Sequence, residues 1–131
     1  MVEATQDARD WLARWRGTPY AYLTTTGRRS GQPHRIEIWF GEHRGRMYLL
    51  AGGGDGSDWV RNVRANHRVT VELGGETRAG VARILQGGTD EDRLARDLLV
   101  AKYATPDDPL DDWKQQSLPV AIEFPAGVDE A

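Results

Sequence analysis

Apolar residues in this chain keep two alternating rhythms, one close to the helical period and one of two residues. Over residues 5–16, Ala8, Trp11, Leu12 and Trp15 fall at the i, i+3, i+4, i+7 spacing of an amphipathic helix. Thr5 can cap its start, and Gly17 can end it in the left-handed conformation. The rhythm then shortens to two. Residues 20–25 are aromatic and β-branched, as a strand requires. Residues 34–42 alternate, with His34, Ile36, Ile38 and Phe40 on one face and Arg35, Glu37 and Trp39 on the other. The first is the core face. A charge of each sign beside a Trp is unusual for a face that meets bulk water.

After a turn at Arg44-Gly45-Arg46, residues 47–51 are continuously apolar, which predicts a central strand. Residues 68–73 and 77–85 alternate again around a tight Gly74-Gly75 turn, and 118–124 forms a last strand. Between them the helical rhythm returns. Ser57 or Asp58 can cap a short helix to about residue 66, and 111–116 suits a single helical turn. Thr89 opens a longer helix with Asp90, Glu91 and Asp92 in its first turn and Leu94, Leu98 and Ala101 as its buried stripe.

About six strands, joined mostly by hairpins and flanked by helices, predict an antiparallel α+β fold. Glycine curves the strands too much for one flat sheet, so a closed or split β-barrel is favoured. The expected organisation is one domain over 1–131. Its parts are an N-terminal helix at 5–17, a barrel at 20–125 with helices near 57–66 and 90–103, and a tail at 126–131.

Composition sharpens this in three ways. The absence of Cys excludes a disulfide framework, a thiolate nucleophile and a Cys-based zinc site. The N-terminus has no apolar leader and no run reaches membrane-spanning length, so a soluble cytoplasmic protein is expected. The net charge of −3 hides an asymmetry. Residues 1–70 carry 11 Lys and Arg against 7 Asp and Glu, a net of +4, while 71–131 carry 6 against 13, a net of −7. A local basic field in an acidic protein suits a small anionic ligand and argues against nucleic acid.

The basic groups gather at two glycine-containing loops. In Gly27-Arg28-Arg29-Ser30-Gly31, two guanidiniums offer bidentate grips on phosphate or carboxylate, Ser30 adds a hydroxyl, and the glycines let the backbone approach a ligand. A solvated basic turn explains the same residues equally well. The second loop, Gly52-Gly53-Gly54-Asp55-Gly56-Ser57, runs from a strand into a helix N-terminus, an arrangement that cradles phosphate with backbone amides. It matches neither a Rossmann fingerprint nor a P-loop, and Asp55 and Asp58 count against a bare anion site. On the helix that follows, Trp59, Asn62 and Asn66 share a face, with Asn66 also suited to capping the helix end. No metal site is expected, because His34, His43 and His67 are scattered and His34 and Glu37 point to opposite faces. No Ser sits in a nucleophile elbow.

Taken in order, Thr24-Thr25-Thr26-Gly27-Arg28-Arg29-Ser30-Gly31-Gln32-Pro33, glycines 52–54, Asp58-Trp59-Val60-Arg61-Asn62-Val63-Arg64-Ala65-Asn66 and Val69-Thr70-Val71 resemble the deazaflavin (F420)-dependent nitroreductase family. The resemblance implies a split β-barrel related to pyridoxamine-phosphate-oxidase-like flavin proteins. It also implies a reductase in which reduced 8-hydroxy-5-deazaflavin, coenzyme F420, gives hydride to a quinone, a nitro compound or an activated double bond. On the matching positions, Arg28, Arg29, Ser30 and Gly31 would hold the phosphate and glutamate tail. His34, Arg35, Ile36, Gly52, Gly53 and Gly54 would line the coenzyme, and Trp59 and Asn62 would complete that wall.

The chain departs from the best-known members at Ile36-Glu37, where they carry Asn-Pro, and at Gly52-Gly53, where they carry Ser-Lys. The missing Lys removes one phosphate charge, which Arg35 or Arg61 could replace. Glu37 thereby becomes the candidate proton donor, provided that burial keeps its carboxyl protonated. Pairing with Arg35 is its structural alternative. Trp39 is the candidate substrate contact. Two rival readings are an FMN-binding barrel and a non-catalytic protein that sequesters the coenzyme. The partner is a small-molecule acceptor, and the surplus of Trp leaves a homodimer open.

Overall fold

A pair of tight turns sets the sheet. Arg44 and Gly45 (φ 53° and 81°) and Gly74 and Gly75 (φ 64° and 79°) take the left-handed conformations of two-residue hairpins. At Gly74 a side chain is also barred sterically, because a Cβ there would lie 2.2 Å from the indole of Trp15. The structure, a computed structural model, describes residues 4–125, so the tail expected at 126–131 lies outside the described residues.

The strands are β1 (Ala21–Thr26), β2 (Pro33–Ile38), β3 (Gly41–His43), β4 (Arg46–Ala51), β5 (Arg68–Leu73), β6 (Glu76–Ile84) and β7 (Leu118–Glu123). The helices are α1 (Gln6–Arg14), α2 (Asp58–Ala65), α3 (Asp90–Tyr103) and α4 (Asp111–Gln116), with a 3-10 turn at Gly54–Gly56. All strand pairs are antiparallel, in the order β2-β1-β5-β6-β7-β4-β3. This is the curled sheet of a split barrel, with seven strands where the alternation predicts about six.

The extra strand arises because the expected strand over 34–42 breaks at Trp39-Phe40. Side chains of α3 take over the backbone there. The Phe40 N–H donates to the Tyr103 hydroxyl (3.1 Å), and the Phe40 carbonyl accepts from Lys102 Nζ (3.0 Å). Freed from the ladder, the chain crosses from the β2 edge to the opposite edge and pairs with β4 as β3.

Alternation along β1, β5 and β7 builds two cores. The concave face packs Leu23, Val71, Leu49, Val120 and Phe40 around Trp11 and Leu12 of α1. Trp11 is 2% exposed, stands edge-on to Phe124 at 5.2 Å and donates Nε1–H to the Leu73 carbonyl at 3.1 Å. The outer face of β4 and β7 packs Tyr48, Leu50 and Ala121 against Ala95 and Leu99 of α3.

Three local expectations are corrected. Helix α1 stops at Arg14 with Trp15 as its C-cap, and Gly17 does not take a positive φ. Thr5 does cap it, accepting from the Ala8 N–H at 3.1 Å. Ser57 is the N-cap residue of α2 but makes no capping side-chain bond. On α3 the buried face is Asp92, Ala95 and Leu99, with Leu94 and Leu98 half-buried and Ala101 exposed. The stripe shifts because Asp92 is paired: its carboxylate accepts from the Gly88 N–H (3.1 Å) and from Arg96 Nε (2.9 Å). A satisfied carboxylate can occupy a core position that a bare one cannot.

Candidate functional site

The open seam of the barrel positions the candidate residues. Strand β2 pairs with β1 alone, and β3 covers only the Arg46 to Tyr48 part of β4. The β2 edge and the Leu49–Ala51 edge of β4 are thus left without strand partners among the described residues. The two glycine-containing loops follow β1 and β4.

At one end of the seam lies a recess of about 220 Å³ lined by Gly27, Arg28, Arg29, Ser30, His34, Asp58 and Asn62. Its loop is closed on itself. The Gly27 N–H donates to Gln32 O and the Gly31 N–H to Gly27 O, each at 2.8 Å, and the Gln32 N–H donates to Ser30 Oγ at 3.1 Å. Gly27 has no room for a side chain, since a Cβ would sit 2.6 Å from both His34 Nε2 and Ser30 Oγ.

Asn62, 3% exposed, fastens this loop to α2. Its Oδ1 accepts from the Arg28 backbone N–H (3.1 Å) and from Arg28 Nη1 (3.0 Å), and its Nδ2 donates to the buried Thr25 hydroxyl (3.1 Å). Arg28 also reaches Asp58 at 3.4 Å. Both arginines are exposed, but the Arg28 guanidinium is held by Asn62 and Asp58, whereas Arg29 has no side-chain partner among the described residues. The sequence treats the two arginines alike; the fold separates their contacts.

Two arginines of α2 turn back onto Asp55 of the second loop. Arg64 Nη2 meets Asp55 Oδ1 at 2.6 Å, and Arg61 Nε donates to the Asp55 carbonyl at 3.0 Å. Arg35 leaves the seam for the outer face, where it pairs with Glu72 (3.1 Å) and lies over the Tyr22 ring (4.1 Å). Glu37 takes the Tyr22 hydroxyl at 3.4 Å, so the Arg35–Glu37 pair weighed from sequence is replaced by two separate contacts.

At the other end is a groove of about 440 Å³ lined by Tyr20, Glu37, Ile38, Trp39, Leu50, Leu110 and Trp113. Trp39 is stacked on Tyr103 (4.3 Å, planes parallel) and meets Trp113 edge-on (5.6 Å, 82°). Gly52 abuts this wall, since a Cβ there would lie 3.2 Å from Trp113 Nε1. Glu37 stands exposed at the rim, so the burial required for its donor role is not met in this chain. Behind Trp39, burial lowers the Lys102 ammonium to about 8, with the nearby Glu42 opposing the shift.

The candidates thus do not form one cluster. Arg28, Arg29, Ser30, His34 and Asn62 share the basic recess, and Glu37 and Trp39 share the aromatic groove, with Gly52 at its back. Gly31 lines a third groove on the outer face with Thr24, Thr26, Arg68 and Thr70. Ile36 and Trp59 pack against the main core. Sequence reasoning missed Tyr20, Leu50, Leu110, Trp113 and Tyr103, which come from distant elements and carry no shared local pattern. Among the described residues, no helix is long and apolar enough to cross a membrane.

Comparison with known proteins bears on family and fold. The F420H(2)-dependent quinone reductase family matches residues 3–125. A solved F420-H2 dependent reductase, FDR-A, is 29% identical over 81% of this chain and 94% of its own, with a TM-score of 0.64. A structure described as a domain-swapped dimer is 27% identical over 81% of this chain and 80% of its own, with a TM-score of 0.65. A pyridoxamine 5'-phosphate oxidase-like protein from Listeria innocua, 17% identical over 89% of this chain and 92% of its own (TM-score 0.63), shares the fold. With nearly all of its length matched and the split barrel in place, the chain belongs to the F420H(2)-dependent quinone reductase family, whose coenzyme is F420.

Proposed function

We propose that the seam is the coenzyme cleft, with the anionic tail at the Arg29 end and a small organic acceptor seated against Trp39 at the other. One observation carries this reading: a recess with an exposed guanidinium and a groove walled by aromatic rings occupy opposite ends of one seam, with Gly52 close behind the rings. The residues fit a long, flat, acid-tailed molecule. Arg29 is free to approach a phosphate or carboxylate, Gly27 holds the loop tight, and the exposed, unpaired edge of β2 offers backbone donors and acceptors.

Reduced F420, when bound, supplies the hydride. The chain's own residues orient and exclude. Arg28, pinned by Asn62, shapes the recess, and Arg29 neutralises the tail. Trp39 and Trp113, set edge to face, form an aromatic corner against which a planar acceptor can seat, displacing water from that side. Quinones, nitro compounds and enones all present such a plane. The relative described as a domain-swapped dimer supports a homodimer as the working form.

Spectroscopic titration with F420, and in parallel with FMN, tests the reading. F420 is expected to bind more tightly, and Arg29→Ala to weaken it about 3- to 30-fold, the loss of one charge-assisted contact. Equal affinity of wild type and Arg29→Ala would reject the proposed tail site.

A further inference from the structure

The aromatic groove carries one charge of its own, and it is negative. Glu37 lines it together with Tyr20, Trp39 and Trp113, and the segment that delivers Leu110 and Trp113 is acidic at Asp107, Asp108, Asp111 and Asp112. The neighbouring cations are engaged elsewhere: Arg35 with Glu72, Lys114 with Asp97 at 2.9 Å, and Lys102 behind the wall on the Phe40 carbonyl. Aromatic faces beside a carboxylate attract delocalised organic cations, through the ring quadrupoles and through the charge. The seam is thus electrically polar, basic where the tail would lie and acidic where the acceptor would lie.

We propose that this groove selects a planar organic cation as hydride acceptor, and that Glu37 recognises its charge instead of supplying a proton. The inference rests on the acceptor seat proposed above. Its chemistry balances without a proton donor. A neutral quinone needs a hydride and a proton to reach the hydroquinone. A delocalised carbocation or iminium-type ring needs the hydride alone: one C–H bond of the reduced coenzyme breaks, one C–H bond forms on the acceptor, and two electrons move with it. The acceptor becomes neutral, and the coenzyme, having given up a hydride, sheds one proton to solvent as it reaches its oxidised form and is released. An exposed rim carboxylate suits that role, whereas proton donation calls for a buried one.

The test compares N-methylacridinium, which takes hydride at C9 to give neutral N-methylacridan, with neutral 2-methyl-1,4-naphthoquinone. Wild type, Glu37→Gln and Trp39→Ala are assayed with F420H2. Dissociation of the acridinium from coenzyme-free protein is also followed by quenching of Trp fluorescence. Glu37→Gln is expected to weaken the acridinium about 3- to 10-fold at low ionic strength, in Kd and in kcat/KM alike, and to lower its kcat/KM relative to the quinone's. Added salt should shrink that difference.

A larger loss on the quinone than on the acridinium would overturn the inference and return Glu37 to proton transfer. Weakening of both acceptors by Trp39→Ala, with no effect of Glu37→Gln on the cation, would overturn the inference while leaving the acceptor seat intact. Indifference of both acceptors to Trp39→Ala would remove the seat and the inference together.

Discussion

Trp39 and Tyr103 lie ring on ring, centroids 4.3 Å apart with parallel planes, joining the crossing between β2 and β3 to the last turn of α3. The same Tyr103 hydroxyl accepts from the Phe40 N–H at 3.1 Å and lies 2.8 Å from the Pro19 carbonyl. Its single proton is best placed on Pro19, because the other acceptor in reach, the Phe40 carbonyl, lies farther off at 3.2 Å and also takes Lys102. Both walls of the groove, Tyr20 after Pro19 and Trp39 before Phe40, are therefore tied to one side chain.

Tyr103→Phe keeps the stack and removes the tie. It should cost about 1 kcal/mol of stability by urea unfolding, the net worth of one such bond. Tyr103→Leu removes the stack as well. It should raise the acceptor KM about 2- to 10-fold, with coenzyme affinity much less affected, because ring pairs are worth about 0.5–1.5 kcal/mol beyond the area they bury. Steady-state kinetics beside coenzyme titration separates the two effects.

Asn62 is the link between core and recess. Asn62→Leu strands the Thr25 hydroxyl, itself 2% exposed, and releases the Arg28 backbone. Thermal unfolding should reveal a loss of about 1–3 kcal/mol, the cost of orphaning a buried polar group. Coenzyme affinity should fall in the same variant, since the loop it anchors loosens.

Arg28 and Arg29 should respond differently to alanine. Arg29→Ala is expected to weaken coenzyme binding with a stability change within about 0.5 kcal/mol, as for other exposed positions. Arg28→Ala should lower both, because Arg28 is bonded to Asn62 and Asp58. The Arg29 contribution should fade as salt rises, which titration at two ionic strengths will reveal.

Lys102 gives stability a pH signature. Burial lowers its folded value to about 8 from an ordinary 10.5. Between those two values the unfolded chain holds a proton that the folded chain has released, so this group makes stability rise with pH. Below about 8 both states are protonated and the penalty of a buried ammonium is constant. The stability of wild type relative to Lys102→Met should therefore increase from about pH 8 to 10.5, measured by urea unfolding across that window. A flat difference would remove the burial argument.

Periodicity made the barrel legible, because a strand with one face in a core must alternate. Ala21, Leu23 and Thr25 of β1 and Val69, Val71 and Leu73 of β5 do so without exception. It failed where polar groups found partners. Asp92 reads as a surface residue and is buried, because Arg96 and the Gly88 N–H satisfy it. Residues 34–42 read as one strand, and the break at Phe40 depends on Lys102 and Tyr103, far away in sequence. The basic recess was legible because its residues lie within one loop and one helix turn. The aromatic groove was not, because Tyr20, Leu50, Leu110 and Trp113 meet only when the fold is complete.

The open seam has a cost unrelated to chemistry. Strand edges with idle backbone groups invite the strands of other molecules to add on, the first step of aggregation. Strand β2 carries its own deterrents: Pro33 at its start, then Arg35 and Glu37, whose charges resist a foreign neighbour. The facing edge, Leu49, Leu50 and Ala51, carries no such charge but is buried by the rest of the fold. Of the two edges, the fold thus leaves the one on β2 open to other molecules, so how long this protein stays dispersed is tied to the charges of Arg35 and Glu37.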